Sequence, residues 1–379
     1  ALEATVPKVV LAVDSKDLGV TLGEMRPFGV PFDVDLRVDG QGKDLLLRQV
    51  AVQSPYVELT AKGSFGMDSG VVAMDGTLTP DFDAIWELPF LDKANDQGIA
   101  MQGRSPRDFS FVLPIKSGAE GILRDGRANA AVAFDRMMVP GLDIPKGEAQ
   151  VVLKDGKTSV DTVVAMNDGE VRFSPRLEAT DTGYVLYIPE GDYLLKDFNV
   201  TPELMDAGLG LVSPILKGSA ETSGSINVQS RRMRLELGKG DPLRSLDLDV
   251  ALSTSEITLQ PNGVLGRVLE ATGKSTDAVS MKPQELEVEV KNGVLSTDKP
   301  IEVDLNDEWT VACLGRTDLA TRKIDYTLSV PLDGVLGDKV ADTSTLKPVS
   351  LPITGTVNDP HIEVGELVDS AAETGVSVG

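Results

Sequence analysis

The sequence is poor in the residues that carry most enzyme chemistry. Its 379 residues include one cysteine, Cys313, and one histidine, His361. A single cysteine excludes an internal disulfide framework and a cysteine-rich metal site, and a single histidine excludes a multi-histidine metal site. No phosphate-binding glycine loop, dinucleotide fingerprint or nucleophile elbow is present. We therefore predict a protein that is not an enzyme and that has no catalytic residue, metal or cofactor.

Aromatic residues are also scarce, at 4% of the chain, so any core must be built from Leu, Val, Ile and Ala. Glycosidases combine paired carboxylates with aromatic sugar platforms, and this composition does not favour that pairing. The acidic residues Asp33, Asp35 and Asp39 lie close together but lack the spacing of a calcium-binding EF-hand loop. We expect them to be solvated surface residues.

Positive charge is in short supply as well. The 36 Lys and Arg residues face 59 Asp and Glu residues, which gives a formal net charge of −23. This balance excludes nucleic acid as a general partner, because phosphate neutralisation requires an excess of cations. It also disfavours electrostatic adsorption of the whole chain to an anionic lipid surface. The expected role of the acidity is solubility.

Long hydrophobic runs are missing. No stretch approaches the roughly 20 apolar residues of a transmembrane helix, and no signal peptide is visible in the sequence. We therefore expect membrane association through a segment outside this chain or through a partner protein.

What the sequence does contain is alternation of apolar and polar residues along most of its length, as in Phe109–Ile115 and Ile324–Val330. A period of two is typical of antiparallel strands with one apolar and one polar face. Asp-Gly and Asn-Gly pairs tolerate the backbone of tight hairpin turns. They predict turns at Asp39-Gly40, Asp75-Gly76, Asp125-Gly126, Asp155-Gly156, Asp168-Gly169, Asn262-Gly263, Asn292-Gly293 and Asp333-Gly334.

Few helices are expected. Thr201-Pro202-Glu203 is a helix start with a capping threonine and a proline in the first turn. A second short helix is predicted from about Gly263 to Ala271, and a third from Gly365 to Glu373. Polar loops are predicted at Asp92–Pro106 and at Gly334–Pro348.

These patterns predict an all-β fold: an elongated, twisted antiparallel sheet curled into a groove or flattened barrel, with two or three short helices. Two parts are expected, an N-terminal β-repeat half at residues 1–197 and a C-terminal groove module with the short helices at residues 198–379.

Several phrases in the second half occur in an order that resembles the C-terminal region of AsmA-like proteins of the AsmA/TamB type. They are Glu170–Leu177, Phe198–Leu204, Val212–Leu216, Gly224–Val228 and the closing segment Leu351–Val364. The resemblance covers roughly residues 170–364. Members usually carry an N-terminal membrane helix, which this sequence lacks.

The resemblance implies a β-groove whose apolar inner face shelters acyl chains and carries phospholipid between membranes. It implies a location in the periplasm or cell envelope of a Gram-negative-type bacterium, with phospholipid or another acyl-chain lipid as the partner.

Alternating strands need a place to bury their apolar face, which can be another sheet, the same sheet or lipid. The residues predicted to line the lipid groove are Leu246, Leu248, Val250, Leu252, Leu286, Val288, Val290, Val303, Leu305, Ile324, Leu328 and Val330. For each of them a dry core is the alternative. The alternative function is a structural or assembly scaffold of the envelope that binds protein partners through sheet edges.

Overall fold

The computed structural model describes residues 10–11, 18–25, 32–88, 91–92, 95, 98–139, 141–180, 183–219, 222–237, 242–272, 278–305, 309–331 and 348–365. Strands dominate these residues, and the helical segments among them are short. The strand pairs run antiparallel, as in the long hairpins of both halves. The prediction of an all-β antiparallel fold with short helices is confirmed.

The chain divides into two compact units. Unit 1 consists of Ala1–Val139, Asp143–Val164 and Phe173–Leu186, and unit 2 consists of Pro140–Leu142, Ala165–Arg172 and Tyr187–Gly379. The sequence-based boundary between residues 197 and 198 therefore falls inside unit 2.

The first fifteen strands include the whole sheet of unit 1. They are β1 Val10–Leu11, β2 Leu18–Met25, β3 Phe32–Gln41, β4 Asp44–Gln53, β5 Val57–Gly66, β6 Val71–Pro80, β7 Ala100–Gln102, β8 Arg107–Pro114, β9 Arg127–Val139, β10 Leu142–Lys154, β11 Lys157–Met166, β12 Gly169–Phe173, β13 Arg176–Thr180, β14 Gly183–Ile188 and β15 Tyr193–Asn199. In unit 1 the strands pair in the order β2-β3-β4-β5-β6-β8-β9-β10-β11-β13.

The remaining strands belong to unit 2. They are β16 Thr222–Ser223, β17 Ser225–Leu237, β18 Leu246–Thr254, β19 Ile257–Leu259, β20 Val279–Met281, β21 Glu285–Lys291, β22 Val294–Thr297, β23 Ile301–Leu305, β24 Trp309–Asp318, β25 Ile324–Val330, β26 Val349–Thr356 and β27 Asp359–Ile362. The main order is β12-β15-β17-β18-β21-β22-β24-β25-β26-β27.

The sheet of unit 2 folds over along a line of corners. Four neighbouring pairs of consecutive strands are separated at Gly224, Ser255–Glu256, Lys282–Gln284 and Asp298–Pro300. The pairs are β16 and β17, β18 and β19, β20 and β21, and β22 and β23, and the two strands of each pair lie in different layers of the sheet. Strand β24 joins the layers, because its first half pairs with β23 and its second half with β22. Gly224 has a φ of +118°, and a Cβ there would lie 2.5 Å from the carbonyl oxygen of Glu256, so this corner requires glycine.

The helical segments are α1 Phe82–Ile85, a 3₁₀ turn at Ile115–Ser117, α2 Gly118–Asp125, α3 Pro202–Leu204, a π-turn at Met205–Leu209, α4 Gly210–Val212, a 3₁₀ turn at Pro214–Leu216, α5 Pro242–Ser245 and α6 Gly263–Ala271. The predicted start at Thr201 is confirmed, since Thr201 Oγ1 accepts a hydrogen bond from the Leu204 amide at 3.2 Å. The second predicted helix is confirmed as α6. The third, except for Gly365, lies outside the described residues, as does most of the predicted loop 334–348.

Two of the predicted hairpin turns are confirmed, and a third is displaced by one residue. Asp155-Gly156 and Asn292-Gly293 form two-residue hairpin turns, with φ values of 52° and 80° and of 53° and 79°. Near Asp168 the turn residues are Asn167 and Asp168, so the turn comes one position earlier than predicted.

Of the other five turn predictions, two were wrong because the residues lie inside strands, two lie at helix ends and one lies outside the described residues. Asp39-Gly40 and Asp75-Gly76 lie inside β3 and β6, because pairing with neighbouring strands overrides the local preference for a turn. Asp125-Gly126 ends α2 and Asn262-Gly263 begins α6. Asp333-Gly334 lies outside the described residues.

The loop prediction at Asp92–Pro106 was wrong at its centre. Ala100–Gln102 forms β7, which pairs with Arg136–Met138 of β9. Three residues are too few for a period-two pattern to identify a strand, so this strand depends on its partner.

Two buried hydroxyl groups anchor the helical segment of unit 2 to its sheet. The Tyr326 hydroxyl donates to the Val212 carbonyl at 3.0 Å, and Thr317 Oγ1 donates to the Leu211 carbonyl at 2.9 Å. Burial raises the pKa of Tyr326 to about 12. Tyr326→Phe leaves the part-buried Val212 carbonyl without this donor, and we expect it to lower the free energy of unfolding by about 1–3 kcal/mol. Urea denaturation measures this, with Tyr56→Phe in unit 1 as the control that should change stability by about 0.5 kcal/mol or less.

Candidate functional site

The residues predicted to line a lipid groove lie in the interior of unit 2. Ten of the twelve are at most 6% exposed: Val250, Leu252, Leu286, Val288, Val290, Val303, Leu305, Ile324, Leu328 and Val330. Val250 and Val288 face each other in the register of β18 and β21. These ten side chains offer no surface on which an acyl chain could rest.

Leu246 and Leu248 differ from the other ten. They are half-buried, and they pair with Leu235 and Met233 towards the end of the β17–β18 hairpin. Of the twelve predicted lining residues, these two are thus the ones that are not fully buried. Alternation predicts which face of a strand is apolar, but not what covers that face, and here the second layer and the helical segments cover it.

Unit 1 carries a second apolar surface, which sequence reasoning did not single out. Directly paired residues of an antiparallel sheet share one face. The register of β4, β5, β6, β8 and β9 therefore sets four cross-strand rows on a single face. The rows are Leu45-Phe65-Val72-Leu113, Leu47-Gly63-Met74-Phe111-Ala128, Val50-Ala61-Gly76-Phe109-Ala130 and Val52-Leu59-Leu78-Arg107. We call this surface the apolar face.

The apolar face continues onto the neighbouring strand β3. Leu36 and Val38 of β3 pair with Val50 and Leu47. With β4, β5, β6, β8 and β9, the face thus crosses six successive strands, which at about 4.8 Å per strand corresponds to roughly 24 Å. Only Arg107 interrupts the four rows with a charge.

The apolar face is open where the interior of unit 2 is closed. Along β5 and β8 its side chains are half-buried at every second position, and the residues between them are exposed. In β25, by contrast, the inward residues Ile324, Tyr326, Leu328 and Val330 are at most 5% exposed. Half-burial over this many adjacent apolar residues is expected of a sheet layer that no second layer among the described residues covers.

The opposite face of the same strands is polar and carries ion pairs. Lys62 Nζ lies 3.8 Å from Asp75 Oδ2 on β5 and β6, and Arg176 Nη1 lies 3.0 Å from Asp161 Oδ1 on β13 and β11. A one-residue slip in register would place these charged residues among the apolar rows, so the two-sided pattern favours one register.

Small and aromatic residues shape the middle of the apolar face. The rings of Phe109 and Phe111 stack with their centroids 5.7 Å apart. A Cβ at Gly63 would come within 2.9 Å of Met74 Cγ, and one at Gly76 within 2.1 Å of the Thr60 carbonyl oxygen. The glycines therefore let adjacent strands approach closely beside the two aromatic rings.

The residues with reactive side chains do not form a site. Cys313 is 1% exposed, and burial raises the pKa of its thiol to about 12. His361 is exposed, with Nε2 3.9 Å from Glu363 Oε1. Within the described parts of the chain, no group of three or more His, Cys, Asp and Glu side chains is placed to hold a metal ion. None of the helices that the structure describes is both long enough and apolar enough to span a bilayer.

Cys313 should be unreactive in the folded protein, because a buried thiol with a raised pKa forms little thiolate. We expect a thiol-reactive chromophore at pH 8 to label it only after denaturant is added. Rapid labelling of the native protein would show that the core of unit 2 opens readily.

The fold and this face define a class: an all-β protein that presents an open apolar sheet face in one unit and a sealed core in the other. Comparison of the chain with protein-family models, with curated protein sequences and with solved structures returned no match.

Proposed function

We propose that this protein is a non-enzymatic lipid-binding protein of the bacterial envelope, and that it holds acyl chains of phospholipid or a similar lipid on the apolar face of unit 1. One observation carries the proposal: in the four apolar rows across β4, β5, β6, β8 and β9, all side chains except the buried Leu47 stay only half-buried. Monomeric soluble proteins rarely leave contiguous apolar patches beyond a few hundred Å² uncovered, and larger ones mark binding surfaces.

The energetics favour a long apolar ligand. Removing a methylene group from water contributes about 0.8 kcal/mol, so an acyl chain laid along the face gains free energy with each carbon that is covered. A compact polar ligand would gain little there, because Arg107 is the only charged residue in the rows. The resemblance to AsmA-like proteins implies the same ligand class and a periplasmic or envelope location.

Photocrosslinking tests where the lipid lies. A phospholipid with a photoreactive group near the end of one acyl chain should label residues of the apolar face, such as Phe65, Met74 and Phe111. Labelling confined to unit 2, or label spread over the polar face of β5 and β8, would contradict the proposal.

The scaffold alternative keeps one specific observation in its favour. Strand β27 pairs with β26, and within the described residues no strand pairs with its other edge. A partner strand could add there, although Pro360 removes one backbone donor from that edge.

A further inference from the structure

We propose that one end of unit 1, at the last row of the apolar face, is a membrane-docking end that rests on a phosphate-bearing bilayer surface. The docking end consists of residues 43–44, 67–70, 115–127, 154–157 and 178. It lies just beyond the row Leu45-Phe65-Val72-Leu113. This inference rests on the proposed function, because the docked membrane would be the source of the lipid that the apolar face receives.

The segments of the docking end are joined by direct contacts. Lys116 Nζ donates to the carbonyl oxygens of Met67 and Asp68 at 2.6 and 3.0 Å. Lys43 Nζ lies 2.5 Å from Asp68 Oδ2, and the Ile115 amide donates to the Gly70 carbonyl at 2.9 Å. The turn after β5, the turn after β3 and the 3₁₀ turn after β8 therefore form one surface.

Two large apolar side chains project from this surface. Met67 is 40% exposed and Ile115 is 46% exposed, although both lie in turns where polar residues are usual. Apolar side chains on adjacent turns, with Lys and Arg around them, match the pattern of segments that insert at a membrane interface.

The charge of the docking end differs from that of the chain. Six Lys and Arg residues stand there against six Asp and Glu residues, whereas the whole chain carries −23. The chain as a whole is thus repelled by anionic lipid, whereas the sequence of this end carries no net charge.

Two cations of the docking end are available to phosphate groups. Arg127 pairs with Val112 across β9 and β8, and it lines a cleft of about 490 Å³ together with Lys154. Within the described residues, neither Arg127 nor Lys154 has a carboxylate partner. Each juxtamembrane cation strengthens binding to an anionic surface by roughly fivefold.

Helix α2 lies at the same end. It contacts both β8 and β13, strands that are separated in the sheet by β9, β10 and β11, so it closes the sheet across this end. Its residues Ile122 and Leu123 are half-buried. A lipid that enters from a docked bilayer would pass this helix first.

Vesicle flotation tests the docking end. The full chain should float with vesicles of phosphatidylcholine containing phosphatidylglycerol, and less with phosphatidylcholine alone. The double variant Met67→Asp/Ile115→Asp should reduce the bound fraction about tenfold or more, since it removes the two inserting side chains. Arg127→Gln/Lys154→Gln should reduce binding to phosphatidylglycerol vesicles about fivefold or more and weaken its salt dependence.

The matched control is Val163→Asp, because Val163 is 52% exposed and lies on β11, six residues along the strand from Lys157. It should float like the unmodified protein. Docking would be overturned if Met67→Asp/Ile115→Asp floats like the unmodified protein, or if Val163→Asp loses binding equally. Circular dichroism confirms that each variant is folded.

Failure of docking can be separated from failure of lipid binding. The docking variants should still take up a fluorescent phospholipid presented in detergent, whereas Phe111→Asp should float on vesicles but fail to take it up. If the unmodified protein floats but no form takes up phospholipid, docking stands and the proposed function fails.

Discussion

Phe111→Asp should lower the affinity of the protein for a fluorescent phospholipid by about 100-fold or more. Phe111 lies in the middle of the apolar face, between Met74 and Ala128 in the cross-strand register. A carboxylate placed against an acyl chain costs several kcal/mol, which corresponds to at least two orders of magnitude in affinity. Fluorescence titration with lipid delivered from detergent measures the change.

The neighbouring substitution Val112→Asp is the control. Val112 is 45% exposed and points to the opposite face of β8, so the same charge there should leave the affinity unchanged. Equal uptake by Phe111→Asp and the unmodified protein would contradict the proposed face, and so would equal loss in both variants.

Leu328→Asp should unfold unit 2 or destabilise it by about 4–5 kcal/mol or more. Leu328 is 0% exposed and pairs with Cys313 and Leu351 in the sealed interior. Burying a carboxylate without a partner belongs to the most costly class of substitution. Val250→Asp and Val288→Asp should behave in the same way, because both residues are at most 6% exposed.

Leu314→Asp makes the same chemical change on the outer side of the neighbouring strand. Leu314 is 42% exposed, so we expect thermal unfolding close to that of the unmodified protein. If Leu328→Asp instead folds normally and loses bound lipid, the interior of unit 2 is a lipid cavity and the assignment of lipid to unit 1 is wrong.

The strands could be predicted from the sequence because the information is local. Phe109, Phe111 and Leu113 alternate with Asp108, Ser110 and Val112, and that period specifies a strand whatever lies nearby. The cap at Thr201 is equally local, since its side chain accepts a hydrogen bond from the amide three residues later. Asp75-Gly76 failed as a turn because β5 and β8 pair with it on both sides.

The candidate site could not be predicted in the same way. Phe111 and Leu328 sit in equally regular patterns, yet one is half-exposed and the other is fully buried. The difference comes from what covers each face. In unit 2 the cover includes the segment around Leu211, which bonds to Thr317 from 106 residues away. No local pattern reports such a contact, so the sequence could not distinguish between the two apolar surfaces. The burial of ten predicted lining residues favours the alternative given for them, a dry core.

Native mass spectrometry of the unmodified protein, purified from bacterial cells without detergent, tests whether the apolar face of unit 1 holds lipid. We expect a species heavier than the 379-residue chain by the mass of a phospholipid or fatty acid. This species should be lost in the Phe111→Asp variant and kept in Val112→Asp. A preparation that contains only the bare chain, and that takes up no labelled phospholipid when this is offered, would contradict this expectation.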